Sequence, residues 1–352
     1  MPDIILDNLI FDLQPHGGIT SIWAPIVQGA VAAGLNLGLV QGRGHEDALK
    51  RLGAGDAAVF SERGSVLRRR FRKVAVPQGC RVFHSSYFRI AANPATKNII
   101  TVHDCIAEQF DKGPRRFLHL AQKKRALKHA ERVVAVSENT KKDLLRFYPW
   151  LDPARIVVIH NGIDLGYFTP SDAPKRKVLL YVGARAVHKN FALALRLLAS
   201  TPAQGLTLEL CGGGALSRGE RALIAKLGLE DRVRALGAVP QGALRRAYQT
   251  GFALIYPSYY EGFGIPPLEA MACGCPVLAS NRSSLPEVVG TAALSFDPAR
   301  LEQAQQALLA LGNVAARQRL VVQGLQRAKL FSHTRMVASY VALYQELIKA
   351  AA

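Results

Sequence analysis

The segment at residues 256–280 constrains the fold of this chain more than any other stretch. It reads YPSYYEGFGIPPLEAMACGCPVLAS, in which a glycine-bearing loop separates apolar runs. Pro266 and Pro267 suit the first turn of a helix, because the N–H groups of that turn have no partner within the helix and a proline there loses no hydrogen bond. Gly274 predicts the helix end, and residues 275–280 then favour a strand. The pattern therefore predicts a strand–loop–helix–strand unit.

The start of this helix is a candidate anion site, because the first N–H groups of a helix lack partners inside it. The prolines donate no N–H, so the usable backbone donors are Gly264, Ile265 and Leu268. We predict Glu269 in the first helical turn, where the dipole favours a carboxylate. These residues alone leave a structural interpretation equally open, in which Glu269 only stabilises the helix start and Glu261 is a solvated loop acid.

The run EGFGIPPLEAMACGCPVLAS resembles the signature of the retaining glycosyltransferases of family 4, with its two glutamates eight positions apart. The resemblance implies that Glu269 binds the ribose hydroxyls of a donor nucleotide and that Glu261 faces the hydroxyls of the donor sugar. It also implies that Gly262, Phe263, Gly264, Ile265 and Leu268 contact the donor. Of these, Gly264 and Ile265 would contact the sugar and phosphates through their backbone.

A second motif follows the predicted strand at residues 178–182, in the loop GARAVHKN. Arg185 and Lys189 lie four positions apart in this loop, so both could reach one diphosphate and neutralise it. Two solvated cations are the alternative interpretation. The family resemblance implies that both bind the donor diphosphate, and that Val239, after the predicted strand at 233–236, contacts the base.

The first half of the chain repeats the strand–loop–helix pattern. Apolar runs at 4–6 and 10–13 favour a first strand, followed by Gly17 and Gly18 and a predicted helix at 19–33. By the resemblance, this glycine pair brings the acceptor and donor phosphates close to backbone.

A predicted strand at 98–102 ends in His103 and Asp104, at the edge where parallel sheets place their ligands. A structural histidine is the alternative. The resemblance implies that His103 lines the site near the reacting sugar and that Asp104 orients it.

Alternating strands and helices over both halves predict an α/β chain with two doubly wound Rossmann-like domains. The arrangement resembles the GT-B fold, in which the domains face a cleft. We predict an acceptor-side domain at 1–170 and a donor domain at 178–335, with a proline-containing linker at 170–177 between them. Residues 336–352 favour a terminal helix that, by the resemblance, crosses back to the first domain.

The formal charge of +19 suggests nucleic acid, an anionic membrane surface or acidic small substrates as partners. Residues 113–134 have helical spacing and a basic face, which fits peripheral attachment to anionic lipid or a solvated helix face. We interpret the basic run at 68–73 as a loop tip. No RNA-binding signature accompanies the charge, so we expect no nucleic acid.

The cysteine spacing, the N-terminal residues and the length of the apolar runs bear on the cellular location. The five cysteines lack CxxC spacing, which favours reduced thiols. The N-terminal residues do not resemble a signal peptide, and no apolar run reaches bilayer length. We therefore predict a cytoplasmic protein, attached peripherally at the inner face of the membrane if its basic surface binds lipid.

The predicted function is retaining transfer of a hexosyl group, mannose or a deoxyhexose, in cell-surface polysaccharide synthesis such as that of O-antigen and lipopolysaccharide. The acceptor would be a saccharide or lipid-linked saccharide. The catalytic candidates are Glu261, His103, Arg185 and Lys189. The chain has no DxD run, so we expect no metal and no cofactor besides the nucleotide-sugar co-substrate, with a GDP-sugar favoured over UDP- or dTDP-sugars.

Two other function classes remain as alternatives. A non-catalytic basic protein would bind nucleic acid in a salt-dependent manner and would have no use for the two glutamates. A sugar-nucleotide-modifying or NAD-dependent Rossmann enzyme would carry GxGxxG after the first strand, where this chain has only His16, Gly17 and Gly18.

Overall fold

A computed structural model describes residues 1–14, 17–42, 52–53 and 57–351. The chain divides into two compact units, one made of Met1–Gly162 with His333–Ala352 and the other of Ile163–Ser332. The second unit thus begins before the segment at 170–177 that we interpret as a linker. Pro15 and His16, which precede the glycine pair, lie outside the described residues.

The first unit is built on a parallel sheet of seven strands in the order β3-β2-β1-β4-β5-β6-β7. Most of these strands are short runs of buried Ile, Val and Leu, as expected when helices cover both faces of a parallel sheet. In chain order the strands are β1 Ile4–Asp7, β2 Leu37–Gly42, β3 Ala58–Glu62, β4 Val82–Ser85, β5 Lys97–Val102, β6 Ala130–Ala135 and β7 Ile156–Val158.

Seven helices are described in this unit. They are α1 Leu9–Leu13, α2 Gly18–Ala32, α3 Val66–Phe71, α4 Ile106–Gln109, α5 Pro114–His129, α6 Glu138–Phe147 and, from the chain end, α14 His333–Lys349. The prediction of strand at residues 10–13 is wrong. Side-chain oxygens of Asp7 and Ser86 accept the N–H groups of Leu9 and Ile10, at 3.3 and 3.0 Å, and so favour a helix directly after β1.

The basic run at residues 68–73 is not the loop tip that we predicted. Ser65 caps α3 by accepting the N–H of Arg68. Arg69 is buried and pairs with Asp12 at 2.9 Å, which ties α3 to α1. One cation of the run therefore serves the packing of the unit, because a charge can be buried when a partner offsets its lost hydration.

The second unit contains a parallel sheet of six strands in the order β10-β9-β8-β11-β12-β13. The strands are β8 Val178–Val182, β9 Thr207–Cys211, β10 Val233–Gly237, β11 Ala253–Tyr256, β12 Val277–Ser280 and β13 Leu294–Phe296. The helices are α7 Phe191–Leu198, α8 Arg218–Lys226, α9 Gln241–Thr250, α10 Ile265–Ala272, α11 Leu285–Val289, α12 Leu301–Ala310 and α13 Val314–Lys329.

Each sheet reverses its strand order at one position. In the first unit β1 lies between β2 and β4, and in the second unit β8 lies between β9 and β11. The loops that leave two such neighbouring strands at their carboxyl ends diverge to opposite faces of the sheet and open a crevice, which is where doubly wound sheets bind ligands. The loops after β8 and β11 contain Arg185, Lys189 and Glu261.

The terminal helix α14 is bound to the first sheet by a buried polar network. His84 of β4 is within hydrogen-bond distance of the Tyr344 hydroxyl at 2.7 Å and of the Thr101 hydroxyl at 2.9 Å. Thr101 also lies 3.2 Å from the Tyr340 hydroxyl. Because these polar groups satisfy one another away from water, the network fixes where α14 packs. Among the described residues, no helix has the length and apolar character needed to cross a bilayer.

Candidate active site

Glu261 and Lys189 form an ion pair at the carboxyl ends of β11 and β8. The Lys189 Nζ lies 2.8 Å from Oε1 and 3.0 Å from Oε2 of Glu261. The Ser258 hydroxyl donates to Oε1 at 2.6 Å, and the Lys189 ammonium lies 5.5 Å from the centre of the Tyr256 ring. The site thus presents one cation and one oriented carboxylate from the loops that flank the strand-order reversal.

The loop at residues 261–264 is held by the chain that follows β12. Ser283 accepts the N–H of Glu261 at 2.9 Å, while Ser284 donates to the carbonyls of Glu261 and Phe263. Gly264 has φ of 122°, and a Cβ there would lie 2.9 Å from the Leu285 side chain. Only glycine fits this position without strain. Ser283 and Ser284 therefore shape the loop that carries Glu261.

Glu269 lies in the second turn of α10, because the helix begins at Ile265 and not at the prolines. Its predicted place in the first turn is wrong. Its Oε2 instead accepts the Tyr248 hydroxyl of α9 at 3.0 Å. Loss of hydration raises the pKa of Glu269 to about 7, although the bond from Tyr248 acts to lower it. The carboxyl therefore gains or loses its proton near neutral pH.

Arg185 has partners that the sequence did not indicate. Its Nε pairs with Glu220 of α8 at 2.7 Å. Its two terminal nitrogens donate to the carbonyls of the loop after β9, at 2.7 to 3.1 Å, from Gly212, Gly213, Gly214 and Ala215. Glycine is required at Gly213, since φ is 73° and a Cβ would lie 2.5 Å from the guanidinium. Arg185 thus organises the glycine loop, whereas Lys189 contacts the loop of Glu261.

Four other donor candidates lie in the same unit. Gly262 and Phe263 are buried within the loop, and the Phe263 ring packs edge-on against Phe331 at 5.7 Å. Leu268 is fully buried in α10, so its side chain belongs to the core. Val239 is half-buried immediately before α9.

In the first unit, His103 and Asp104 follow the end of β5 as predicted. Asp104 caps α4 by accepting the N–H of Ile106 at 3.0 Å. The buried ammonium of Lys123 donates to the Asp104 carbonyl at 2.8 Å and pairs with Glu108 at 2.6 Å. Burial, with a smaller effect from Lys123, lowers the pKa of His103 to about 4, so this imidazole is neutral at pH 7.

The glycine pair lies at the start of α2. Gly17 is the residue before the helix and is extended, with φ of 177°, and its carbonyl accepts the N–H of Ser21. Gly18 opens the helix, and a Cβ there would meet no atom of the described residues within 4 Å. The open surroundings of Gly18 fit the approach of a ligand to this backbone.

Family models match the chain on both sides of the unit boundary. Residues 52–167 match the family described as Glycosyltransferase Family 4, and residues 168–320 match Glycosyl transferases group 1. The two matches are contiguous and include both candidate loops of the second unit. Residues 52–320 therefore carry glycosyltransferase domains, of Family 4 in the first part and of group 1 in the second.

Curated relatives of this glycosyltransferase chain act on different substrates. It is 32% identical over 239 residues to the O-antigen chain mannosyltransferase B of Escherichia coli, covering 63% of this chain and 62% of that protein. It is 31% identical over 175 residues to the O-antigen chain mannosyltransferase RfbU of Salmonella typhimurium, covering 50% and 49%. A D-inositol 3-phosphate glycosyltransferase of Salinispora tropica is 32% identical over 252 residues, with 62% and 52% covered. The chain thus spans only about half to three fifths of their lengths.

Solved structures confirm the predicted GT-B fold class for this chain. Sucrose-phosphate synthase from Thermosynechococcus elongatus gives a TM-score of 0.77 at 20% identity, covering 99% of this chain and 100% of the other. Anabaena HepE, solved with UDP and glucose, gives 0.75 at 16% identity, covering 99% and 100%. The lipopolysaccharide glycosyltransferase WaaG gives 0.66 at 17%, covering 97% and 99%. At these identities the likeness concerns the fold.

Sequence reasoning missed several residues that shape the site of this glycosyltransferase chain. Tyr248 reads as an ordinary core residue of an amphipathic helix, and Glu220 as a helix-capping acid far from the motifs. Ser258 lies within the quoted segment, three residues before Glu261. A small polar residue so close to the key carboxylate was a usable signal for it.

Proposed function

We propose that this chain catalyses retaining transfer of a hexosyl group from a nucleotide diphosphate sugar to a saccharide or lipid-linked saccharide. The observation that carries the proposal is the contact of Lys189 with both carboxylate oxygens of Glu261. A cation that can neutralise a leaving diphosphate is held beside a carboxylate that can accept sugar hydroxyls. Glu269, on the helix that follows, supplies a second carboxylate for the ribose.

The chemical problem is to stabilise a departing diphosphate and a sugar with cationic character. Lys189 and the backbone N–H groups at the start of α10 would supply the positive side. In a front-face displacement the C1–O bond to the diphosphate breaks, the acceptor oxygen bonds to C1 on the same face, and the leaving phosphate takes the acceptor proton. Glu261 would bind hydroxyls, since Ser258 and Lys189 already orient its carboxylate.

Residues of the first unit would act on the acceptor side. His103, neutral at pH 7, could exchange hydrogen bonds with a sugar hydroxyl without adding charge, and Lys123 fixes the turn that carries it. The absence of a DxD run supports a reaction without a metal bridging the diphosphate.

For the donor we favour GDP-mannose or a GDP-deoxyhexose, with O-antigen or another cell-surface polysaccharide as the product. The support is the similarity to two O-antigen mannosyltransferases at 32% and 31% identity. An acceptor of this kind is built on a lipid carrier, so the protein would work in the cytoplasm at the inner face of the membrane. The formal charge of +19 supports contact with anionic lipid there.

A thermal-shift screen tests the donor site directly. The purified chain is heated with GDP, UDP, dTDP, ADP, NAD or a short duplex DNA, with and without EDTA. A ligand of the folded state raises the apparent stability, so we expect a shift with one nucleoside diphosphate, GDP first, that EDTA leaves unchanged. A shift with NAD alone or DNA alone would contradict the proposal and favour one of the alternative classes.

Variants then assign the shift to the site. Lys189→Ala should lower transfer by roughly a hundredfold or more, as removal of one charge-stabilising donor does elsewhere. Arg185→Ala should also lower transfer, either through the glycine loop or by direct contact with the diphosphate. Arg196→Ala is the matched control, because Arg196 is an exposed cation of α7 outside the site. Full transfer in both Lys189→Ala and Arg185→Ala would sink the assignment.

A further inference from the structure

Helix α5 exposes large apolar side chains among cations. Phe117 and Leu118 are 69% and 50% exposed. Lys124, Arg125 and Lys128 are exposed further along the helix, and the sequence of α5 contains no acid. Exposed apolar side chains that recur beside positive charge on one helix are the pattern of a surface that meets a membrane interface.

Helix α3 lies beside α5 and continues this surface. The buried Gln122 joins the two helices, donating to the Arg70 carbonyl at 2.8 Å and accepting from the Arg70 Nε at 2.9 Å. Arg125 of α5 donates to the Phe71 carbonyl at 3.3 Å. Leu67 of α3 is 64% exposed and is followed by the exposed Arg68. The two helices therefore present apolar and cationic side chains from one packed substructure.

A cavity of about 180 Å³ opens where α3 and α5 meet. Four arginines line it, Arg70, Arg72, Arg89 and Arg125, with Phe71 and Leu118 among the apolar walls, and none of the described lining residues is acidic. Arg89 is neutralised by Asp7 and Glu62. Within the described residues, the ion pairs do not include Arg70, Arg72 or Arg125, so the positive charge of the cavity is uncompensated by the protein.

We propose that this α3–α5 face, defined by Leu67, Arg70, Arg72, Phe117, Leu118 and Arg125, docks the chain on an anionic phospholipid surface. Lipid phosphates are bound by Arg70, Arg72 and Arg125, and Phe117 and Leu118 enter the boundary between headgroups and acyl chains. The positive charge of the face favours anionic lipid, since each cation near a negatively charged membrane surface adds to the attraction. The inference deepens the proposed function, because a lipid-linked acceptor lies in the membrane that this face contacts.

The apolar side chains distinguish lipid from nucleic acid. Phosphate contacts would account for the arginines with either ligand. Exposed Leu67 and Leu118 gain nothing from a phosphate backbone, since they offer neither charge nor a stacking face, whereas both gain from transfer out of water into lipid. The binding of vesicles should therefore depend on apolar residues as well as on charge.

Sedimentation with vesicles tests the face on the full chain. We compare phosphatidylcholine vesicles with vesicles that also contain phosphatidylglycerol, and expect binding only to the latter. Phe117→Ser/Leu118→Ser and Arg72→Glu/Arg125→Glu should each weaken that binding roughly tenfold or more. Lys226→Glu/Arg319→Glu is the matched control, as it reverses two exposed cations of the second unit and should change binding little.

The outcomes separate this inference from the proposed function. All variants are first checked for the nucleotide thermal shift, which reports an intact donor site independently of lipid. Any one of three results would overturn the inference. The first is equal binding to neutral vesicles, and the second is equal weakening by the control pair. The third is a loss of binding with the arginine pair but not with the apolar pair. The last result, together with competition by duplex DNA, would instead assign the face to nucleic acid. Vesicle binding without any nucleotide shift would contradict the proposed function and leave the docking face standing.

Discussion

At the scale of single residues, the contact between Lys189 and Glu261 couples stability to function. Both side chains are largely buried, at 18% and 10% exposure. Removing one partner of such a pair leaves the other charge poorly hydrated and unpaired, whereas removing both leaves neither. The single substitution should therefore destabilise the fold more than the paired one, although both would remove the proposed transfer chemistry.

We expect Lys189→Met to lower the free energy of unfolding by about 2 to 3 kcal/mol, and Lys189→Met/Glu261→Gln to recover most of that loss without recovering transfer. Urea unfolding and a transfer assay on the same preparations measure the two effects. Equal stability of the single variant and the wild type would mean that the pair does not couple the two loops.

Glu269 predicts how nucleotide binding depends on pH. With its pKa raised to about 7, the carboxyl is increasingly protonated below pH 7, and a protonated carboxyl accepts the two ribose hydroxyls less well. Affinity for the nucleoside diphosphate should therefore fall as pH drops from 8 to 6. The other groups that act on this region are Tyr248 and Tyr256, both of which titrate far above this range, and the buried thiol of Cys273, whose pKa is raised to about 12.

The Tyr248→Phe variant separates this explanation from a general effect of pH on the protein. Tyr248 lowers the pKa of Glu269 by donating to it, so its loss should move the midpoint of the affinity profile to higher pH. Glu269→Gln should bind weakly at every pH with a flat profile. Isothermal titration at several pH values provides the measurement, and an unchanged midpoint in Tyr248→Phe would count against the role of Glu269.

At the scale of elements, the attachment of α14 to β4 and β5 predicts sensitivity to acid. Complete burial lowers the pKa of His84 to about 3, whereas an exposed histidine titrates near 6.5. Between these values the unfolded chain binds a proton that the native His84 excludes, so stability is lost as pH falls from 6.5 toward 3. His103, with a pKa of about 4, contributes in the same direction.

We expect His84→Gln to be less stable than the wild type at pH 7, because it disturbs the bonds to Tyr344 and Thr101. The loss of stability between pH 7 and 4 should nevertheless be shallower in the variant. Urea unfolding across this range gives both quantities. His129→Gln is the control, since His129 is exposed on the same unit. An equally steep fall in His84→Gln would exclude His84 as the source.

At the scale of the whole molecule, local patterns predicted the elements and long-range contacts decided the roles. The strand Val178–Val182 was predicted to the residue, because an apolar run followed by a glycine marks its end locally. The partners of Arg185 are 27 to 35 positions away, and no local pattern indicates such contacts. Glu269 was misplaced because its helix begins at Ile265, one residue before the prolines.

The division of the chain into a continuous and a discontinuous unit makes a final prediction. Residues 163–332 contain their own buried core and all the candidate donor residues from Arg185 to Glu269. The fragment 163–332 should therefore fold alone and keep the nucleotide thermal shift.

Residues 1–162 lack α14, whose Tyr340 and Tyr344 are fully buried and satisfy Thr101 and His84. Without them the sheet would expose apolar surface and leave buried polar groups unpaired. The fragment 1–162 should unfold without a cooperative transition, and joining 333–352 to it through a flexible linker should restore one. Cooperative unfolding of 1–162 alone would show that α14 is dispensable to the first unit.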